Sequence, residues 1–254
     1  PFASLEDLTQ TTEQLFAHLY HNISSRFVKD HGISVFGNNE QDLHEDSFTN
    51  PYRTLEFIPT LESIICKQLD FPGWRMPDLT MPQASEELRQ LFERLDARLP
   101  TDPTLPRLLD ELSSLYIEPL CMQPTWITYH PLALSPLAKS FTDGKSGQEV
   151  AARAELFIKG KEYVNCYEEE NDPFEQRKKF EMQRSFTGED DAEIPDRIDE
   201  NYLECLEWGL PPTGGWGCGV DRLVMLFSGT ERIQDVLSFG TLRNVVSMGK
   251  EWRR

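Results

Sequence analysis

The chain has 254 residues, of which 39% are hydrophobic and 27% charged, and its formal net charge is -18 at pH 7. No apolar run approaches the roughly 18 residues that would cross a bilayer, so the sequence excludes a membrane protein. The acidic balance argues against wide, non-specific wrapping of nucleic acid, because that binding mode depends on clustered Lys and Arg side chains.

The first half of the sequence is predicted to be mostly helical. Residues 5–27 carry apolar side chains at helical spacing, and Ser4 with Asp7 resembles a capping box at the start. Residues 29–51 have the polar composition of a loop, and a short strand is predicted at 52–58. Three further helices are predicted at 60–69, 85–99 and 106–116, where Pro and Gly punctuate the intervals. We interpret these helices as scaffold.

The second half changes to a strand-rich pattern. Three segments have strand composition, and the last two flank Gly160 as a predicted hairpin: 125–129, 154–158 and 162–169. Helices are predicted at 173–186 and 197–208, separated by a solvated acidic loop at 188–196. A glycine-rich strand at 214–219 leads into a helix at 221–227. Strands flanked by helices without regular βαβ alternation predict one α+β domain with an antiparallel sheet.

The cysteines and the N-terminal residues give information about the cellular compartment of the protein. The five cysteines form no CxxC pair and no spacing suited to zinc, so they are interpreted as reduced thiols in a reducing compartment. The first residues resemble neither a secretory signal nor an Arg-rich transit peptide.

The glycine-rich segment GGWGCGVDRL, residues 214–223, is the most informative stretch. Glycines such as Gly217 and Gly219 remove side chains, so a flat ligand or another backbone can approach closely. The planar guanidinium of Arg222 can stack on a base or form paired hydrogen bonds with a phosphate. The segment fits neither the dinucleotide fingerprint nor the phosphate loop, and a simple bend in a strand remains an alternative.

Asn165, Tyr167 and Glu169 alternate along a predicted strand and therefore point to one face. An aromatic ring beside a carboxylate suits a long cationic side chain, because the ring can flank the methylenes while the carboxylate pairs with the ammonium group. The alternative from the pattern alone is that Tyr167 belongs to the core and Glu169 is solvated.

Glu155 and Glu162 form a second acidic pair on the predicted hairpin. Divalent cations that bridge triphosphates prefer a few carboxylates and retain water, so two glutamates can supply the protein ligands. Surface charge is the alternative, and the hairpin register that decides whether both acids share a face is open.

Four blocks of the sequence resemble class II lysyl-tRNA synthetases. The segment 214–223 resembles motif 3 of class II aminoacyl-tRNA synthetases, a glycine-rich strand that ends in an arginine. Three blocks narrow the resemblance to the lysyl enzymes: HPLALSPLAKS at 130–140, ELFIKGKEYVNCYEEENDPFEQ at 155–176, and GLPPT with the tail segment DVLSFGTLR at 235–243. The resemblance covers residues 1–249, although the first 120 match mainly in layout.

The resemblance implies a class II catalytic-domain fold and specific site residues. Arg222 is similar to the catalytic arginine of motif 3, and Gly217 and Gly219 would contact ATP with it. The lysine pocket would contain Asn165, Tyr167 and Glu169, with Tyr where Phe is more usual and Cys166 where Gly is common. The two glutamates that match the magnesium ligands of the family are Glu155 and Glu162.

The implied activity is ATP-dependent activation of L-lysine to lysyl-adenylate, followed by transfer to tRNA(Lys). ATP and Mg²⁺ would be required, and the full-length enzyme would be a homodimer without a membrane association. The GGWGCG variant and Gly240 resemble fungal mitochondrial lysyl enzymes, which favours a mitochondrial over a cytoplasmic location. The alternatives are a paralogue that ligates lysine to a protein and a non-catalytic module that binds lysine or ATP.

The resemblance also implies a domain organisation. Residues 1–254 would be the C-terminal portion of a catalytic domain, with a divergent, mostly helical segment at 59–120. Nothing in the chain resembles motif 1, motif 2 or the anticodon-binding OB-fold of the family. We therefore expect the chain to be a fragment of a longer enzyme and to be inactive by itself.

Overall fold

The computed structural model describes residues 1–31, 43, 45–49, 51–186 and 198–237. The predicted acidic loop at 188–196, most of the predicted loop at 29–51, Gly240 and residues 238–243 of the tail segment lie outside these ranges. The helices are α1 (Leu5–His31), α2 (Phe57–Gln68), α3 (Ala84–Arg94), α4 (Leu105–Tyr116), α5 (Pro173–Ser185), α6 (Glu200–Glu207) and α7 (Val220–Ser228). The strands are β1 (Arg53–Glu56), β2 (Thr125–Thr128), β3 (Ser140–Thr142), β4 (Glu149–Ala151), β5 (Arg153–Ile158), β6 (Lys161–Glu168) and β7 (Gly214–Cys218).

The chain divides into two compact units. The first consists of Pro1–Thr11 and Tyr52–Gly217, and the second consists of Thr12–Pro51 and Cys218–Arg254. The first unit contains the strands described below, except the last residue of β7. No helix within the described part of the chain combines the length and apolar composition needed to cross a membrane.

A five-stranded sheet forms the centre of the first unit, in the order β1-β2-β5-β6-β7. β5 is antiparallel to both β2 and β6, whereas β1 and β2 run parallel. Glu169 N donates to Thr213 O at the start of β7, and Gly217 lies beside Asn165 O, so β7 is antiparallel to β6. The predicted α+β fold with an antiparallel sheet flanked by helices is confirmed, with one parallel pair as an exception. The two-stranded sheet of β3 and β4 was not predicted.

The predicted hairpin between β5 and β6 is confirmed. Its two-residue turn contains Lys159 and Gly160, whose φ angles are 52° and 67°. Positive φ at both central residues is the property of a type I′ turn, whose twist matches that of the flanking strands, and glycine adopts this conformation without steric cost. The turn therefore fixes the register that brings the acidic and amide side chains of the hairpin together.

Helices α2, α3 and α4 supply most of the apolar core of the first unit. On α4, Leu105, Leu108, Leu109 and Leu112 follow the i, i+3, i+4, i+7 pattern and are all buried. They belong to one cluster with side chains of α2, α3, β2 and β5, among them Leu61, Phe92, Ile127 and Phe157. The sequence predicted these helices to act as scaffold, and their buried side chains contribute to this cluster.

Two predicted element boundaries in the first unit are wrong. The strand predicted at 52–58 ends at Glu56, because Phe57 and Ile58 already belong to α2 and are buried in the core. The helix predicted at 85–99 ends at Arg94, because Asp96 adopts a left-handed φ of 51°. The predicted capping box is confirmed, since Ser4 N donates to Asp7 Oδ2 (2.8 Å) and Asp7 N donates to Ser4 Oγ (3.2 Å).

The second unit has its own apolar contacts. Phe16 of α1 is fully buried, and Tyr20 stacks on Phe48 with 4.9 Å between ring centroids. Helix α7 buries Met225, Leu226 and Phe227 and ends at Gly229, whose left-handed φ of 66° is typical of a helix C-terminus.

Candidate functional site

The register of the β5–β6 hairpin decides which polar residues share a face. Arg153 is opposite Tyr167, and Glu155 is opposite Asn165. The register shifts between Leu156 and Phe157, so that the next pair is Phe157 with Glu162. Directly opposed residues of an antiparallel pair point to the same side, and the bulge returns Glu162 to the side of Glu155. The register therefore places the two predicted acids on one side of the hairpin, which the sequence left open.

Arg153 is the centre of a partly buried polar network on this face. Its Nε donates to Asn165 Oδ1 (2.9 Å), and its Nη1 donates to Leu134 O (2.9 Å) and to Ser135 Oγ (3.0 Å). Its Nη2 pairs with Glu155 Oε1. The guanidinium thus joins the hairpin to the chain around Leu134 in a fork geometry that a lysine could not reproduce.

Glu155 is held by two partners. Its Oε2 lies 3.0 Å from His130 Nε2, and its Oε1 pairs with Arg153. Burial opposes ionisation of this carboxyl, but the charges of and hydrogen bonds from His130 and Arg153 outweigh burial and lower the pKa of Glu155 to about 2. Glu155 therefore neutralises the Arg153 guanidinium throughout the physiological pH range.

A cavity of about 160 Å³ opens beside this network. Its walls are Arg153, Asn165, Tyr167 and the backbone stretch at residues 134–138, which we call the wall segment. The volume is well below the roughly 300–1,000 Å³ of clefts for drug-sized ligands, so it suits part of a small molecule. Burial and, to a smaller extent, the charge of Glu169 raise the pKa of Tyr167, so this side chain presents a neutral phenol.

Glu169 lies half-buried next to the glycine-rich strand. A Cβ atom at residue 215 would clash with the Glu169 carboxylate in its present position, so Gly215 permits the close approach. Gly214 makes similar room for Leu8 of α1, since an added Cβ would lie 2.9 Å from Leu8 Cδ1. Burial raises the pKa of Glu169. Within the described ranges, no hydrogen-bond donor or cation pairs with this carboxylate.

The predicted residues of the glycine segment are divided between the two units. Gly217 belongs to the first unit, and a Cβ there would make ordinary van der Waals contact with Asn165 O at 3.8 Å. Gly219 caps α7 in the second unit, with Arg222 Cδ 3.5 Å from where its Cβ would be. The Arg222 side chain is exposed on α7. The glycines with the closest side-chain neighbours are therefore residues 214 and 215, which precede the predicted ATP-contacting glycines at 217 and 219.

Glu118 interacts electrostatically with four other carboxyl groups of the first unit. Burial and the charges of Asp110, Glu155, Glu162 and Glu111 raise the pKa of Glu118 to about 7. Burial and the charge of Glu155 likewise raise the pKa of Asp110. The described residues contain no group of three or more His, Cys, Asp or Glu side chains placed to hold a metal ion. The region nevertheless carries a concentration of negative charge around Glu155 and Glu162.

Glu118→Gln is expected to stabilise the chain at about pH 8 and to flatten its pH dependence. In the folded state Glu118 holds its proton up to about pH 7, and in the unfolded state only up to about pH 4.5. The free energy of unfolding therefore falls as the pH rises through this window. Thermal unfolding of both proteins across this range measures the difference, with the exposed Glu93→Gln as a control. Parallel pH curves for wild type and Glu118→Gln would contradict the assignment.

Sequence reasoning missed two members of the network, Arg153 and His130. His130 opens the block that resembles the lysyl enzymes, and Arg153 stands two residues before Glu155. The available signal was the position of Arg153 on the same strand face as Glu155. The partners at Leu134 and Ser135 could not be found by spacing, because they belong to a different part of the chain.

A family model and several curated relatives match this chain. The family model described as tRNA synthetases class II (D, K and N) matches residues 1–243. The mitochondrial lysine–tRNA ligase of Schizosaccharomyces pombe is 35% identical over 250 residues, which cover 96% of this chain and 43% of the relative. The mitochondrial lysine–tRNA ligase of Saccharomyces cerevisiae is 36% identical over 259 residues, again covering 96% and 43%.

A cytoplasmic relative is equally similar. The probable cytoplasmic lysine–tRNA ligase of Encephalitozoon cuniculi is 36% identical over 246 residues, covering 95% of this chain and 46% of the relative. The chain thus spans less than half the length of these curated relatives.

Proposed function

Because the chain belongs to the class II tRNA synthetases of the aspartyl, lysyl and asparaginyl group, we propose that it forms the lysine-binding part of a lysine–tRNA ligase. The full-length enzyme would activate L-lysine with ATP to lysyl-adenylate and transfer the lysyl group to tRNA(Lys). The relatives that carry the name lysine–tRNA ligase support this choice within the group.

The observation that carries the proposal is the charge balance at and next to the cavity, because Glu169 does not line the cavity but its charge acts on Tyr167, which does. The Arg153 cation is already paired with Glu155, whereas the half-buried Glu169 carboxylate has no partner within the described ranges. A buried charge without a partner is costly, so a ligand that supplies a cation relieves that cost on binding. The ε-ammonium of lysine would pair with Glu169, while Tyr167 would flank its methylenes. An aspartate or asparagine side chain would offer no cation.

The proposed reaction needs no covalent enzyme intermediate. A carboxylate oxygen of lysine attacks the α-phosphorus of ATP, and the bond to the pyrophosphate leaving group breaks as the mixed anhydride forms. Catalysis then consists of holding the reactants in line and stabilising the charge that develops. Arg222 is proposed for charge stabilisation, with Gly217 and Gly219 leaving space for ATP. Asn165, oriented by Arg153, would complete the lysine pocket.

Glu155 and Glu162 are proposed as the protein ligands of Mg²⁺. A nucleotide-bound Mg²⁺ takes one or two carboxylates and fills its other positions with phosphate oxygens and water, so a pair of acids on one face fits that need. Glu155 already accepts from His130 and Arg153, but a carboxylate has about four lone-pair sites. When bound, Mg²⁺ would neutralise phosphate charge and hold the triphosphate.

Three further features of the full-length enzyme are proposals. tRNA(Lys) would be bound mainly by parts of the enzyme outside this acidic chain, because a net charge of -18 disfavours phosphate contacts. A homodimer follows from the family resemblance. A mitochondrial location is supported by the two fungal mitochondrial relatives, and the cytoplasmic relative of equal identity supports the alternative.

The test of the proposed function is ATP–pyrophosphate exchange by the full-length enzyme with each of the three amino acids of the group. We expect lysine to support exchange and aspartate and asparagine to leave it at background. The preference rests on the ammonium group, and loss of a charged hydrogen bond typically costs about 1.5–3 kcal/mol. Exchange that depends on aspartate or asparagine, or no exchange by a folded enzyme, would refute the proposal.

A further inference from the structure

Helix α5 contacts the backbone of the wall segment with two buried polar side chains. Lys179 Nζ donates to Ala138 O (2.6 Å), and Gln176 Nε2 donates to Pro136 O (2.9 Å). Gln176 is fully buried, and the Lys179 side chain is only 5% exposed. Neither residue lines the cavity, but both bind the backbone of the segment that does.

The Lys179 ammonium is neutralised by a single buried acid. Glu170 Oε2 lies 2.6 Å from Lys179 Nζ, and Glu170 Oε1 accepts from the amides of Asn171 and Asp172. The backbone of Glu170 also contacts the wall segment, since its N donates to Leu137 O (2.8 Å). The acid, the ammonium and the wall segment therefore form one connected network.

The start of α5 fixes the position of this pair. Asp172 caps the helix by accepting from Phe174 N (2.8 Å) and Glu175 N (3.3 Å), and Pro173 occupies the first turn. Glu170 lies in the short stretch between β6 and α5, one residue after Glu169. The same short stretch thus carries the proposed ammonium partner, Glu169, and the acid that holds Lys179.

We propose that Lys179, paired with Glu170 and assisted by Gln176, is a positioning residue. It holds the wall segment at the distance from Tyr167 that the side chain of the bound lysine substrate requires. Arg153 holds the beginning of the wall segment through Leu134 O and Ser135 Oγ, and α5 holds its end. The wall faces Tyr167 and Asn165 across the cavity, so its position controls how tightly the ligand methylenes are packed. This inference rests on the proposed lysine-binding function.

The neutral double variant Glu170→Gln/Lys179→Met tests the inference. Removing both charges together avoids leaving one buried charge alone, which would threaten folding. This variant removes one of several anchors of the wall segment, so we expect the KM for lysine in ATP–pyrophosphate exchange to rise about tenfold, the effect of losing about 1.4 kcal/mol of binding free energy. The KM for ATP and kcat should stay within about twofold, because the wall contacts only the side-chain pocket.

The matched control is Glu175→Gln/Lys178→Met, which removes an ion pair of the same 2.6 Å length from the exposed side of the same helix. It should leave both KM values and the hydrogen exchange of the wall segment unchanged. Faster amide exchange at residues 134–138 in the Glu170/Lys179 variant, and not in the control, is the second expected result. If the double variant does not fold, Gln176→Met removes only the bond to Pro136 and should raise the lysine KM by about two- to fivefold.

The outcomes separate the inference from the proposed function. Equal rises in the KM values for lysine and ATP, or an unchanged lysine KM in a folded variant, would overturn the positioning role. Unaltered amide hydrogen exchange at residues 134–138 in the double variant would mean that Lys179 and Glu170 do not hold the wall segment, whatever the substrate. A wild-type enzyme without lysine-dependent exchange would refute the proposed function, and the positioning of a lysine ligand with it.

Discussion

Arg222→Lys is expected to slow lysine activation by about a hundred- to a thousandfold while leaving the unfolding temperature almost unchanged. Loss of a preorganised charge-stabilising donor typically costs about 3–4 kcal/mol of transition-state stabilisation. Lysine keeps the positive charge at this position but lacks the planar fork that can bind a phosphate and stack on a base. The Arg222 side chain is exposed on α7, so the substitution removes little packing.

Pre-steady-state adenylate formation and thermal unfolding of the same protein separate a catalytic from a structural role. Arg232→Lys is the matched control, because Arg232 is also an exposed arginine of the second unit, where its Nε lies 3.5 Å from Asp235 Oδ2. The control should activate lysine at the wild-type rate. An unchanged activation rate in folded Arg222→Lys would mean that the glycine-rich segment is only a bend in a strand.

Local chemistry made the hairpin predictable from the sequence. Alternation identified the strands and Gly160 identified the turn, whose positive φ angles follow from the residues present. The bulge that brings Glu162 to the side of Glu155 was not predictable, because nothing in the alternation distinguishes a shifted pair from a regular one. The sequence alone therefore could not show that these two acids lie on the same side of the hairpin.

The polar network shows where sequence reasoning ends. Asn165, Tyr167 and Glu169 were predicted to act together because their spacing along one strand is visible in the sequence. Arg153 binds Leu134 and Ser135 across a separation of 18 or 19 residues, and Lys179 binds Ala138 across 41. Such contacts depend on how the elements pack, and periodicity within one element carries no information about them.

The same limit applies to the segment boundaries. The strand predicted at 52–58 contains residues with good strand propensity, but burial of Phe57 and Ile58 against α4 and α3 stabilises their helical conformation. Tertiary packing overrides local propensity at such positions. The parallel pairing of β1 with β2 has a similar origin, since three helices connect the two strands and allow the chain to return in the same direction.

Glu169→Gln is expected to raise the KM for lysine by about ten- to a hundredfold, with a much smaller change in the KM for ATP. The amide keeps the size of the side chain beside Gly215 but cannot neutralise an ammonium group. Glu168→Gln is the matched control, because the neighbouring Glu168 Oε1 accepts a hydrogen bond from Leu5 N (3.0 Å), and a glutamine oxygen can still accept it. The control should leave both constants unchanged.

The decisive measurement is the KM for lysine in ATP–pyrophosphate exchange by full-length wild type and Glu169→Gln, determined beside the KM for ATP. Recognition of the ε-ammonium by Glu169 predicts a selective rise in the lysine constant. Lysine and ATP constants that change together, or a lysine constant that does not change in a folded enzyme, would contradict the assignment of the cavity as the lysine pocket.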